Sequence, residues 1–493
     1  MKFKHGEATS ARAHNNPVNK EDKLHWWQLS LLGVAFTIGT GYFLGSGIAI
    51  KIGGPGVLIA FVFAGFGTYI VFDVLARMTS EDPLEGSFRS YAKKAFGRWA
   101  GFTSGWVYWA SELLIMGSQM TALSLFSRFW FPDVPMWLFA SGYAILGLII
   151  ILLGTKGFER FENVFAIIKV SAIVMFLIIA TAALMGWIGT GRYTPSVPGT
   201  AGEYFPHGFI GLWSALLFAF YAFGGIEIMG IMAMRLQDPK QAPKAGKMML
   251  MLLTTIYIAS IILAITLVPW NTLNAKKSPF LTALDQYNLP LVPHIFNAVL
   301  IIAGFSTMVA SLFAVTTMLV TLAQDKDAPV FFAKKVLKGC PLPAIGLTTA
   351  GLIASIISAL LMPGKIYEYV TTAAGLMLLY NWFFILVTSG KLLKLSKWAQ
   401  AKRFTGMLIL LTAVSGSLFH ETSRPGFYVS FAFVALIGSV TLLMMRHWKK
   451  TGGHRTHIAS AGGESEHKII GMDYKLGEEK TKRLNAKVRS KTD

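Results

Sequence analysis

Ile38-Gly39-Thr40-Gly41-Tyr42 and Phe220-Tyr221-Ala222-Phe223-Gly224-Gly225-Ile226-Glu227 are the two stretches whose reading decides the fold. Each places glycine in the middle of a long apolar run, where it weakens a helix. Two explanations fit the first stretch. Small residues let a neighbouring helix approach closely. Alternatively the helix unwinds and frees amides and carbonyls, which is tolerated at membrane depth only where they line a cavity or are buried in protein. Spacing alone does not choose between them. The second stretch adds a carboxylate, Glu227, just after its glycine pair.

The surrounding chain sets the scale. Of 493 residues, 54% are hydrophobic and 14% charged, against about 25% charged in soluble domains. Apolar runs of roughly 20 residues, long enough to cross a hydrocarbon core as helices, recur along most of the chain. They predict an all-α polytopic membrane protein with twelve spans: 28–50, 56–78, 101–131, 136–154, 161–187, 209–234, 247–269, 289–323, 343–362, 366–390, 404–420 and 426–446. The first, third and eighth exceed one bilayer thickness, so tilt or a break is expected. The chain divides into a short N-terminal segment (1–24), a transmembrane domain (25–446) and a basic, mixed-charge tail (447–493) that reads as disordered. Residues 1–24 are polar and basic, without the apolar core of a cleavable signal. The single cysteine, Cys340, excludes an intrachain disulfide.

A formal net charge of +20 raises the question of nucleic acid, but the basic residues answer it by where they fall. With loops assigned alternately, 37 of the 45 Lys/Arg lie on the side of the N-terminus, seven on the other, and one, Lys169, inside a span. Positive charge stays on the cytoplasmic face during insertion. Both termini are therefore expected in the cytoplasm, and the excess reports topology rather than nucleic-acid binding. Arg446, Lys449 and Lys450 are placed to lie on anionic lipid headgroups.

The two glycine-interrupted spans are the first and the sixth, which correspond in a five-plus-five arrangement. Such a pair is the best sequence pointer to a transporter's binding site. Amides at the start of a half-helix attract a carboxylate, and free carbonyls at the end of another attract an ammonium. A zwitterionic amino acid offers both. Phosphate loops, clustered His/Cys metal spacings and nucleophile elbows are absent from the sequence, so neither an enzyme nor a cofactor or metal is expected.

Three stretches resemble the amino acid permeases of the amino acid–polyamine–organocation superfamily: IGTGYFLGSG (38–47) with GGPG (53–56), EGSFRSYAKKAFGRWAGFTSGWVYW (85–109) and FGGIEIMGIMAMRLQDPKQAPKA (223–245). SPFLTAL (278–284) and LAQDKDAPVFF (322–332) fit the same pattern, and the likeness covers roughly residues 20–450. The resemblance implies a LeuT-like fold, with ten helices in two inverted repeats, helices 1 and 6 broken, and two peripheral helices. It implies uptake of an amino acid across the plasma membrane, driven by a cation, usually the proton. By position, amides near Thr40, Gly41 and Tyr42, with the Thr40 hydroxyl and the neighbouring Gly39, would hold the substrate carboxylate. Carbonyls of Thr37, Tyr221 and Gly224, next to Gly225, would hold its ammonium. Tyr221 would gate, with Phe220 beside it.

Two buried ionisable groups are candidates for coupling. A charged Lys169 within Ile167-Ile168-Lys169-Val170 is costly, so it pairs, faces water or gives up its proton part-time. The resemblance matches it to a lysine that stands where sodium-coupled relatives hold sodium. Glu227 either accepts from amides at its break or carries a proton. Glu112, on the third span, has no role assigned by pattern. Ser306, Thr307 and Ser311 offer oxygens towards Lys169.

Several positions depart from the family pattern. Met232 replaces a common Thr, Arg235 a common Glu, Gln119 a common Glu and Thr317 a common Arg. The loss of an acid argues against a cationic substrate, and Met116, Gln119, Phe220 and Met229 suggest a neutral, apolar side chain. An amino acid exchanger and a transport-dead sensor are the other readings compatible with the same residues.

Overall fold

A computed structural model describes residues 23–449 except 85, 190, 337–339 and 362–365. The expected terminal segments, 1–24 and 447–493, thus lie outside the described residues apart from 23–24 and 447–449. The helices are α1 (Trp26–Thr37), α2 (Thr40–Phe43), α3 (Gly45–Gly53), α4 (Val57–Glu81), α5 (Phe88–Phe96), α6 (Arg98–Ser127), α7 (Met136–Leu152), α8 (Gly154–Leu184) and α9 (Ala201–Tyr204). They continue with α10 (Gly208–Tyr221), α11 (Ile226–Met232), α12 (Ala242–Leu267), α13 (Pro279–Asp285), α14 (Val292–Gln324), α15 (Leu342–Leu361), α16 (Ile366–Leu392) and α17 (Lys397–Gly416). The last is α18 (Arg424–Lys449). Among the described residues the only extended pairing is an isolated bridge between Leu24 and Leu236.

Local chemistry sets the helix ends. Ser396 accepts from the Ala399 amide and caps α17, satisfying one of the amides a helix start leaves free. Gly97, at φ +92°, ends α5 and opens α6 in a conformation that glycine adopts without penalty. Gly54, at φ +63°, opens the Gly54–Gly56 turn that joins α3 to α4.

Each of the twelve expected apolar stretches is mostly helical where described, and the first and sixth are interrupted, at 38–39 and 222–225. Among the described residues six helical segments are long and apolar enough to cross a membrane: Thr40–Glu81, Val164–Leu184, Pro239–Leu267, Val292–Gln324, Tyr367–Leu392 and Arg424–Lys449. Met136–Leu152 and Leu342–Ile357 are shorter apolar helices. Large apolar residues also cover the outer faces, among them Leu138, Ile145 and Ile149 on α7 and Ile167, Val174 and Ile178 on α8. Water does not favour so much exposed apolar surface. The chain is an all-helical, multi-pass membrane protein.

Residues 23–435 belong to one compact unit, in which α6 packs along α14 and α16, α4 along α12, and α10 along α3 and α4. The described part of the second unit, 436–449, is the end of α18, with Leu442 and Leu443 exposed.

Beside the end of α14 a charge cluster ties it to α5. Arg89, fully buried, donates to Asp325 at 2.9 Å and to buried Asp327 at 2.6 Å. Arg98 donates to the other Asp327 oxygen at 2.8 Å, and Lys93 to Asp325 at 2.8 Å. Ser87 (φ 47°) and Lys326 (φ 61°) flank the cluster in the left-handed region, uncommon for residues other than glycine. Burial by itself would raise the Asp325 carboxyl. The Lys93 hydrogen bond and the Arg89 charge outweigh it and hold the group below the ordinary carboxylate range.

Two outcomes are expected in detergent. Asp327→Asn removes one of the two carboxylates that hold the buried Arg89, and thermal unfolding should show a loss of about 1–3 kcal/mol. The Asp325 pairing is present above the ordinary carboxyl titration and lost as pH falls through its depressed value. Asp325→Asn should therefore flatten the decline of Tm on the acid side.

Candidate binding site at two helix breaks

Helix α1 stops at Thr37, Ile38 and Gly39 are extended, and α2 starts at Thr40. Helix α10 stops at Tyr221, a tight turn runs through Ala222–Gly225, and α11 starts at Ile226. Gly225 has φ +105°, open to glycine and strained for other residues. The two breaks meet. A Cβ on Gly225 would stand 3.6 Å from the Phe36 carbonyl oxygen and 3.7 Å from Thr37 Cα. A Cβ on Gly41 would lie 3.0 Å from the Tyr221 carbonyl oxygen and 3.2 Å from its ring. One on Gly39 would press into Thr307 at 2.5 Å. Of the two explanations left open by spacing, the helix is in fact unwound, and the glycines also allow close approach.

Between the breaks lies a cavity of about 40 Å³. Phe36, Thr37, Gly39, Thr40 and Gly41 line it from the first break, and Tyr221, Gly224, Gly225 and Ile228 from the second. Glu112, Ile115 and Gln119 on α6 and Thr307, Ala310 and Ser311 on α14 complete it. The volume is far below the several hundred Å³ of an open ligand pocket, so an amino acid would enter only if the lining moves apart.

The polar groups divide by sign. On the first break the amides of Thr40 and Gly41 open α2, with no preceding turn to bond. The buried Thr40 hydroxyl has no partner. On the acceptor side, the Phe36 carbonyl near the end of α1 lies beside Gly225 of the second break. The Tyr221 carbonyl already accepts from the Gly224 amide at 3.1 Å, and the Tyr42 amide donates to Gly39 at 3.1 Å. On α6, Gln119 Oε1 and Glu112 Oε2 are buried without a partner.

Of the residues expected from sequence, Thr37, Gly39, Thr40, Gly41, Tyr221, Gly224 and Gly225 are together on the cavity wall. Tyr42 and Phe220 lie behind it. The Tyr42 ring stacks on Tyr257 at 4.0 Å and its hydroxyl bonds Ser260. Tyr257 donates to the Ala222 carbonyl at 2.9 Å, so α12 braces both breaks. Phe220 packs edge-on against Trp382. Met116, Met229, Met232, Arg235 and Thr317 are also absent from the wall. The apolar part of the lining is instead Phe36, Ile115, Ile228 and Ala310.

Lys169 is fully buried, although Ile167 on the opposite face of α8 is 70% exposed. Its ammonium donates to the Ala35 carbonyl on α1 at 3.0 Å and to Glu162 at 3.2 Å. Ser306 on α14 donates to the second Glu162 oxygen at 2.7 Å. Three helices meet at this pair. Glu162 went unnoticed in the sequence because it opens its apolar run. The signal was its spacing, two helical turns before Lys169 on one face. Glu227 is fully buried behind the second break and accepts from Trp382 Nε1 at 3.3 Å. Asp73 pairs with Arg77, one helical turn on, at 3.3 Å and with Lys402 at 2.9 Å.

Residues 28–420 match the family model described as amino acid permease. The chain belongs to the amino acid permease family. With it, the permease joins the amino acid–polyamine–organocation superfamily, a family of transporters. It is 54% identical over 437 residues to the uncharacterized transporter YcgH of Bacillus subtilis, covering 89% of this chain and 97% of that one. To the aromatic amino acid transport protein AroP of Corynebacterium glutamicum it is 30% identical, covering 84% and 94%. To the L-asparagine permease of Salmonella typhimurium it is 29% identical, covering 85% and 87%.

Two substitutions probe this arrangement of the permease. Gly225→Ala puts a side chain at φ +105°, and a loss of about 1–3 kcal/mol is expected in thermal unfolding. Lys169→Met leaves Glu162 buried and unpaired, at a cost of about 3–5 kcal/mol. Lys169→Met combined with Glu162→Gln should recover most of that stability.

Proposed function

We propose that the permease imports a neutral amino acid across the plasma membrane by proton symport with alternating access. The observation that carries this reading is the cavity where two helix breaks meet. It has unbonded amides and a hydroxyl on one wall and helix-end carbonyls on the other, a match to a zwitterion. The α-carboxylate goes to the amides of Thr40 and Gly41 and the Thr40 hydroxyl. The ammonium goes to the carbonyls of Thr37 and Gly224, with the Tyr221 carbonyl shared with its own turn. Tyr221, whose ring lies beside Gly41, closes over the substrate.

The side chain then faces Ile115, Ile228, Phe36 and Gln119, a lining that favours an uncharged group. Relatives named for aromatic amino acids and for L-asparagine also handle substrates with uncharged side chains. For topology we take twelve spans. Ten form two inverted repeats of LeuT type with breaks in the first and sixth, and α17 and α18 are peripheral. The charge distribution supports a cytoplasmic position for both termini. Lys169 and Glu227 are the proposed proton-exchanging groups. Lys169 suits this role because its ammonium ties α8 to the end of α1, so loss of its proton would free the first break.

Reconstituted protein should accumulate a labelled neutral amino acid under an inward proton gradient and lose that accumulation when the gradient is dissipated. Uptake only into vesicles preloaded with amino acid would make the protein an exchanger. Absence of any amino acid uptake would overturn the reading. Gly41→Val, which fills the space against Tyr221, should abolish saturable uptake. Lys169→Met should abolish gradient-driven accumulation, and full accumulation by that variant would remove Lys169 from the coupling.

A further inference from the structure

Five carboxylates are buried among the described residues: Asp73, Glu112, Glu162, Glu227 and Asp327. Three have cations. Asp73 holds Arg77 and Lys402, Glu162 holds Lys169, and Asp327 holds Arg89 and Arg98. Glu112 and Glu227 have none among the described residues, and Glu112 lines the same cavity as Gly225 and Ile228, which bracket Glu227 in the chain. Each carboxyl also leaves one oxygen, Glu112 Oε2 and Glu227 Oε1, buried without a hydrogen-bond partner. The groups facing the pair do not supply a positive charge. They are Tyr108 on α6, Tyr221 at the end of α10, Ser311 on α14, Trp382 on α16 and, for Glu227, the neutral backbone amides at the start of α11. Phenols and an indole are neutral at ordinary pH.

Two like charges cannot both persist in such a place. A buried, unpaired carboxylate is strongly disfavoured, and a second beside it adds repulsion that one proton relieves. Groups so close take up protons as a pair rather than singly. Position gives the pair a use. Glu112 lines the cavity between the two breaks, whereas Glu227 stands in the first turn of α11, just past the second break.

We propose that Glu112 and Glu227 together hold one transported proton, with Glu112 the member that senses the substrate cavity. The inference rests on the proton-symport reading and extends it to a residue outside the family's pattern. The proton arrives from the outer solution while the cavity is open to it. It stays while substrate excludes water from Glu112, and leaves to the inner solution when the cavity opens there. The free pair then carries one more negative charge, which favours reloading before the empty carrier returns.

The test uses full-length protein in proteoliposomes with a trapped pH dye. A mixture of the proteinogenic L-amino acids is added outside, and counterflow of the same labelled mixture is measured in parallel vesicles. In the parent, amino acid addition should drive proton entry. Its absence in the parent would sink the symport reading and this inference with it. With the parent active, Glu112→Gln should lower the ratio of proton entry to counterflow by roughly tenfold or more. Glu112→Asp, which keeps the carboxyl, should restore much of it. An unchanged ratio in Glu112→Gln would overturn the inference alone. If Glu112→Gln lacks both activities, Glu112→Asp decides. Restored proton entry supports the shared site, and an equally inert Glu112→Asp shows that Glu112 serves structure or substrate instead.

Discussion

A backbone amide or carbonyl in hydrocarbon must be bonded within the protein or face a polar cavity. Everything around the cavity follows from that constraint. Breaking α1–α2 and α10–α11 exposes such groups at two places, and the protein answers by setting the two places against each other. Glycine makes this possible, because Gly41 and Gly225 allow backbone to approach backbone where a side chain would intervene. Tyr257 then takes up the Ala222 carbonyl and stacks on Tyr42, so that a single helix, α12, steadies both breaks.

The same economy governs charge. A lone charge in the interior is expensive, and most of the buried carboxylates here sit in dedicated ion pairs that bind helices to one another. Glu162 and Lys169 join α8 to α1 and α14, while Asp327 joins the end of α14 to α5 and α6. Against this background Glu112 and Glu227 stand out, since they are as buried as the others and no cation pairs with either among the described residues.

These two kinds of constraint act at different places. Ion pairs hold the helices that surround the breaks, and the breaks themselves are held by few bonds. An arrangement of this kind lets the cavity lining move while its frame stays intact. The cavity between the breaks is small, about 40 Å³, and lined in part by the short segments α2 and α11.

Hydrophobic periodicity and run length made the helices and their membrane setting legible from sequence, because those depend on local composition. Glycine at 39, 41, 224 and 225 likewise pointed to the breaks, since its backbone consequence is local. Family likeness then named seven of the fifteen residues of the cavity wall. Other features were not legible. Tyr42 and Phe220 turned away from the cavity, Met116 and Met229 lay behind it, Glu162 gained Ser306 from α14 besides Lys169 on its own helix, and Glu112 met no cation among the described residues. Which face of a helix a side chain joins, and whether a buried charge meets an opposite one or a like one, depends on packing between distant segments. Only the tertiary structure decides that, for no local rule in the sequence measures a distance between α6 and α11.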